Sequence, residues 1–201
     1  ESAFSWRLVH GDGGSGKSRL GLEYLLARQA GWTGGFLARD SSQPAWRDWR
    51  PLTPHLLVVD YPAVAPVEVG RLINALSERA HAETLDAPVR VLLLEREPNG
   101  TWRRDMLAAA SDGARKAEPF AAADIGLEAL DDVWPIYEAF LGKEGREPPD
   151  RVRTLAALER IDPLRRPLFA AFHADALARR GADREWDRQS LVLDVLDQEE
   201  R

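Results

Sequence analysis

Two textures of hydrophobic pattern alternate through the first two thirds of the chain. Leu56–Asp60 is a continuous apolar run that ends in an acid, and Val89–Leu94 is another. Unbroken runs of this length predict strands buried on both faces of a parallel sheet. Ser5–His10, with Trp6, Leu8 and Val9 apolar, predicts a first strand, and Gly35–Arg39 a second. Helical spacing fills the intervals. Leu22, Leu25 and Leu26 share one face of a helix over Lys17–Ala30, with Gly31 as its stop. Pro66 opens another, on which Val69, Leu72, Ile73, Leu76 and Ala80 form one stripe, and Trp102–Ala110 has the same texture. Pro119–Ile125 is expected to add a last strand, and Asp40–Pro54 to be a loop or short helix whose Trp46 and Trp49 pack rather than stack on a base. Strand and helix in alternation imply a parallel α/β sheet with right-handed crossovers.

Past Gly126 only the helical texture remains. Leu130, Val133, Tyr137, Phe140 and Leu141 make one stripe, and Val152, Leu155 and Ala156 a second. Pro167–Arg180 is bounded by Gly181, and Leu191, Val195 and Leu196 mark a last helix. The expected division is therefore 1–126 for an α/β domain and 127–201 for a helical domain.

Chemistry enters at the turn after the first strand. Gly11-Asp12-Gly13-Gly14-Ser15-Gly16-Lys17-Ser18 fits the pattern G-x-x-x-x-G-K-[ST]. Such a match arises by chance in roughly one chain in a hundred of this length, and here it lies between a predicted strand and a predicted helix, as the chemistry requires. Gly11, Gly13, Gly14, Ser15 and Gly16 can turn successive amide N–H groups inward as an anion cradle, and the helix behind them presents its positive end. Lys17 would reach the β- and γ-phosphates, the Ser18 hydroxyl would ligate Mg²⁺, and Arg19 completes the set of phosphate-side residues. Asp60, at the end of its apolar run, has the form of a Walker B acid. A strand beside the first one would bring its carboxylate to Ser18 and the metal. Arg96 follows a strand at the edge where ligands sit in open α/β sheets. It could report the γ-phosphate, and Glu95 could orient an attacking water; the plainer alternative is a Glu95-Arg96-Glu97 surface cluster that pairs with itself. His10, His55, His81 and His173 show no metal-ligand spacing.

Composition narrows this reading. Acidic residues outnumber basic ones 33 to 27, a formal charge of −6 that argues against bulk nucleic-acid binding and leaves room only for a local basic strip. No run of apolar residues is long enough to span a membrane, and the absence of cysteine agrees with a reducing cytoplasm. Lys17, Lys116 and Lys143 are the only lysines, and this arginine bias with abundant alanine suits a GC-rich bacterial genome. The first residue is not Met and the last residues continue a helical pattern, so a fragment of a longer protein is expected.

Gly11–Leu20, Leu56–Asp60, Val91–Arg96 and Arg166-Pro167-Leu168 together resemble the STAND class of P-loop ATPases, which includes the NACHT and NB-ARC types. The resemblance implies a P-loop NTPase domain, a three-layer parallel sheet, with a C-terminal helical appendage that can close over ATP or ADP with Mg²⁺. It implies that Arg96 is the sensor arginine and that Pro167 belongs to the Gly-x-Pro element that touches the nucleotide, with Arg166 at the place expected for Gly. Tyr61 stands where the class often carries a second acid, which leaves no obvious general base and implies slow hydrolysis. The partners implied are sensor and effector domains of the same parent chain and a nucleotide-dependent homo-oligomer, in bacterial stress or anti-phage signalling. The alternative is a small-molecule kinase that transfers the γ-phosphoryl group under a lid built from Arg103, Arg104 or C-terminal arginines.

Overall fold

A computed structural model describes residues 2–38, 46, 48–109, 113–147, 149–181 and 185–199. The chain divides into two compact units, Glu1–Asp12 with Lys17–Leu127, and Gly13–Gly16 with Glu128–Arg201.

The first unit is built on a five-stranded sheet. Its strands are β1 (Phe4–His10), β2 (Thr33–Phe36), β3 (His55–Asp60), β4 (Val89–Glu95) and β5 (Ile125–Gly126), in the order β2-β3-β4-β1-β5 with every pair parallel. Its helices are α1 (Lys17–Arg28), α2 (Pro66–His81), α3 (Thr101–Leu107) and α4 (Gly113–Ala117), and a 3-10 turn spans Pro62–Val64. The α/β parallel architecture expected from the pattern is present.

Strand alternation sorts the core. Phe4, Trp6 and Leu8 of β1 and Val89, Val91 and Leu93 of β4 pack against Val69, Leu72, Ile73 and Leu76 of α2 and Trp102 and Met106 of α3. Val9, Val58, Leu92 and Leu94 form a smaller cluster on the opposite face, joined by Leu25 of α1. Helices thus cover both faces, as a parallel sheet requires. Gly21 sets the depth of α1: a Cβ there would lie 3.2 Å from both Leu94 and Val58. The stripe expected on α1 is weaker than its pattern suggests, since Leu22 and Leu26 remain substantially exposed.

Two strand boundaries and one strand neighbour differ from expectation. β2 runs over Thr33–Phe36 rather than Gly35–Arg39, and Arg39 lies outside the described residues. The expected strand Pro119–Ile125 is mostly not a strand. Glu118–Phe120 is a 3-10 turn, Ala121 makes a single bridge to Trp6, and β5 contributes two residues. The segment still satisfies the β1 edge, because Ala122 N–H donates to the Trp6 carbonyl at 2.8 Å and Leu127 N–H to that of His10 at 2.7 Å. β3 does not adjoin β1, because β4 lies between them. Trp46 and Trp49 do pack, edge to face with ring centroids 5.9 Å apart.

The second unit carries α5 (Trp134–Lys143), α6 (Arg151–Ile161), α7 (Pro167–Arg180) and α8 (Arg188–Glu199). Tyr137, Leu141, Leu158, Ala170, Ala174 and Leu191 are fully buried in its core. The Asp150 carboxylate caps α6 by accepting the Arg153 N–H at 2.8 Å. α8 is tied to α7 by Asp194, which pairs with Arg179 at 2.8 Å and with Arg180. The Tyr137 hydroxyl lies 2.8 Å from Nδ1 of the buried His173. The loop turn Gly13–Gly16 groups with these helices: Leu168 N–H donates to the Gly14 carbonyl at 3.3 Å, and Arg166 Nη1 to that of Gly13 at 3.2 Å.

Candidate functional site

β1 ends at His10, and the glycine-rich segment carries the chain directly into α1 at Lys17. Gly14 and Gly16 have φ of 85° and 94°, a backbone region that residues with a Cβ rarely enter. The segment therefore turns as the motif demands. Lys17 is the first residue of α1 and is only 6% exposed. Its ammonium group donates to the carbonyls of Gly11 at 2.7 Å and Asp12 at 2.9 Å. Burial lowers the Lys17 pKa, and the nearby Arg96 guanidinium lowers it further, against the opposing pull of Asp60, Glu95 and Asp12. Two cations are thus held near one another at the mouth of α1, an arrangement that an arriving polyanion would relieve.

The Ser18 hydroxyl donates to Asp60 Oδ2 at 2.7 Å. Asp60 reaches it although β3 is not the neighbour of β1: α1 crosses the sheet over β3 and β4, so its first turn stands above the end of β3. The other carboxylate oxygen, Oδ1, is buried and has no hydrogen-bond partner. An orphaned anionic oxygen beside a hydroxyl suits a hard cation that takes oxygen ligands. Among the described residues no group of three or more His, Cys, Asp or Glu could hold a metal. A magnesium ion with few protein ligands, completed by waters and phosphate oxygens, is the form this donor set fits.

Glu95 ends β4 and is 6% exposed. Its Oε1 accepts the Arg96 N–H at 2.7 Å and its Oε2 the Ala63 N–H at 3.1 Å. Both oxygens thus hold backbone, a geometry that favours pinning the neighbouring loop over orienting a water. Within Glu95-Arg96-Glu97, Glu95 is buried and the Arg96 guanidinium lies over the Tyr61 ring, 5.9 Å from its centroid. Arg19 is exposed and pairs with Glu23 one turn along α1.

Lys17, Ser18, Asp60, Glu95 and Arg96 come together within the first unit, whereas Pro167 opens α7 in the second. There the left-handed residue is Arg165, with φ of 46°, two positions before Pro167. The glycine position of a Gly-x-Pro element is therefore Arg165 and not Arg166. Arg166 instead binds Asp162 through its Nε and Nη2, at 3.0 and 2.6 Å. Arg103 is engaged by Asp124 and lies over Trp6, and Arg104 pairs with Asp105. Sequence reasoning missed the conformation of Tyr61, whose φ of 58° is left-handed although it is neither Gly nor Asn. Its only sequence signal is its place directly after the Walker-type acid.

The parallel sheet, its flanking helices and the glycine turn between β1 and α1 define a P-loop NTPase fold. Among solved structures the chain is similar to the ORC2 protein of Aeropyrum pernix in its ADPNP–ADP complexes. The TM-score is 0.50 with 10% identity, over 94% of this chain and 61% of that one. It is also similar to Drosophila ORC bound to DNA, with a TM-score of 0.47 and 11% identity over 98% of this chain and 61% of that one. The chain thus spans about three-fifths of the length of these chains. At 10% identity the first of these likenesses is one of fold. No protein-family profile and no curated protein matches the chain. Among the described residues, no helix is long and apolar enough to cross a membrane.

Proposed function

We propose that this chain is the ATP·Mg²⁺-binding switch module of a larger signalling ATPase of the STAND type. The observation that carries the reading is the buried Lys17 ammonium, held beside Arg96 and next to the Ser18–Asp60 pair with its unpartnered oxygen. Each residue then has one task. Amide N–H groups of Gly13–Gly16 and Lys17 would bind the phosphates, and Lys17 would exchange its loop carbonyls for phosphate oxygens. Ser18 and Asp60 would hold magnesium, which neutralises phosphate charge when bound. Arg96 would distinguish triphosphate from diphosphate by contact with the terminal phosphate.

Tyr61 in place of a second acid, and Glu95 committed to backbone, both favour slow hydrolysis and a regulatory role over rapid turnover. In this reading ATP and ADP select between states of the module, with sensor and effector domains of the parent chain as partners, a nucleotide-dependent homo-oligomer as one output, and the cytoplasm as the compartment. Pro167 would contribute from the helical domain, and bacterial stress or anti-phage signalling would be the setting. Calorimetric titration with ATP and ADP, with and without magnesium, tests the core of it. Lys17→Ala should abolish triphosphate binding while leaving the circular dichroism spectrum unchanged. Equal ATP affinity in the variant and the parent would end the proposal.

A further inference from the structure

The segment that follows Asp60 is built around an unusual residue. Tyr61 has φ 58° and ψ 61°, a left-handed conformation that a bulky aromatic residue rarely takes. Such outliers persist only where the surroundings over-determine them, and they cluster at switch regions. Contacts to backbone and side chain hold this one. Tyr61 N–H donates to the Leu94 carbonyl at 3.0 Å, and its own carbonyl accepts from Val64 at 3.0 Å. The Arg96 guanidinium lies over its ring. Two residues further, the Ala63 N–H is held by the buried Glu95 carboxylate, whose other oxygen accepts the Arg96 N–H.

These contacts close a loop of parts: Ser18 to Asp60, Asp60 through the chain to Tyr61, Tyr61 to Arg96, Arg96 to Glu95, and Glu95 to Ala63. The Pro62–Val64 turn then runs directly into α2, whose first turn is closed by the Val69 N–H donating to the Ala65 carbonyl at 3.1 Å. Val64 at 67% and Val67 at 39% exposure place apolar side chains at the surface there.

We propose that Tyr61 is a positioning residue that parks the Arg96 guanidinium when no terminal phosphate is present, and that the release of Arg96 is passed through Glu95 to the Pro62–Val64 turn. The inference rests on the ATP-switch reading above and names its internal relay. A guanidinium over an aromatic face is held by the ring quadrupole, and a triphosphate oxygen is the stronger competitor for it. When the guanidinium leaves the ring, the backbone of Arg96 shifts with it. The Glu95 carboxylate, which bonds that backbone and Ala63 together, carries the shift to the turn.

The test uses Tyr61→Asn, Tyr61→Phe and the parent protein, each loaded with ADP·Mg²⁺ or with a slowly hydrolysed ATP analogue and Mg²⁺. Asn tolerates left-handed backbone, so this variant removes the ring without disturbing the turn. Two quantities are read: the ratio of triphosphate to diphosphate affinity, and the amide hydrogen exchange of the peptide covering residues 61–67. In the parent, exchange at Ala63 and Val64 should differ between the two nucleotides. Tyr61→Asn should abolish that difference and change the affinity ratio by about three- to fivefold, the scale of one cation–π contact, with ADP affinity unaltered. Tyr61→Phe, which keeps the ring, should restore both. An unchanged ratio and unchanged exchange in Tyr61→Asn would overturn the relay while leaving the switch reading intact. The relay is equally overturned if Tyr61→Phe behaves like Tyr61→Asn. A parent protein that binds neither nucleotide would overturn the switch reading, and the relay with it.

Discussion

Acidification should weaken the helical unit through one residue, His173. Its imidazole is 3% exposed, and burial pushes its pKa down to about 4 from an ordinary 6.5. The folded state therefore keeps it neutral while the unfolded chain takes up a proton. The sign follows from linkage: stability is fully present above about pH 6.5 and is lost as the pH falls from there through about 4. Between about pH 7 and about pH 4.5 the loss comes to about 2 kcal/mol. Asp162 and Asp194, opposed by burial but held below the usual carboxylate range by their arginine partners, lose their own contribution only as the pH falls through that range, and both proteins compared carry them. Urea unfolding at a series of pH values measures the loss. His173→Asn, which cannot titrate but keeps a polar atom near the Tyr137 hydroxyl, supplies the reference. The parent should lose about 2 kcal/mol more than the variant across the window. Parallel pH curves for the two proteins would refute the assignment of a buried neutral imidazole.

Two further outcomes are expected. Asp60→Asn keeps the shape around the Ser18 hydroxyl but removes the anionic oxygen, so the gain in triphosphate affinity from magnesium should drop about tenfold or more; a superimposable magnesium titration would remove Asp60 from the metal site. Arg165→Gly relieves a left-handed backbone at a residue with a Cβ and should stabilise the protein by about 1 kcal/mol, read as a higher urea midpoint.

The buried centre of the sheet was legible for a physical reason. Leu56–Asp60 and Val89–Leu94 are covered on both faces, so their apolar runs are unbroken, and β3 and β4 fall where those runs do. The glycine turn was legible because positive φ at Gly14 and Gly16 leaves a compositional mark. Other features leave none. β5 is two residues long and holds β1 through backbone groups, which any sequence can supply. Strand order is fixed by crossovers, so the insertion of β4 between β1 and β3 has no local signature. Tyr61 and Arg165 adopt glycine-like backbone without being glycine, and this hid both the ring beneath Arg96 and the true position of the left-handed residue before Pro167. Glu95 read as a group for chemistry, because its two backbone partners are distant from it in pattern or trivially adjacent to it.

Gly21 couples the sheet to the site from a distance. One added methyl would press on the Leu94 and Val58 side chains, which would have to give by a few tenths of an ångström or push back on the helix that carries Ser18 less than one turn away. The spacing between the hydroxyl and Asp60 is therefore sensitive to the room left at Gly21. A side chain at that position would bear on the Ser18–Asp60 contact as well as on the packing of the sheet.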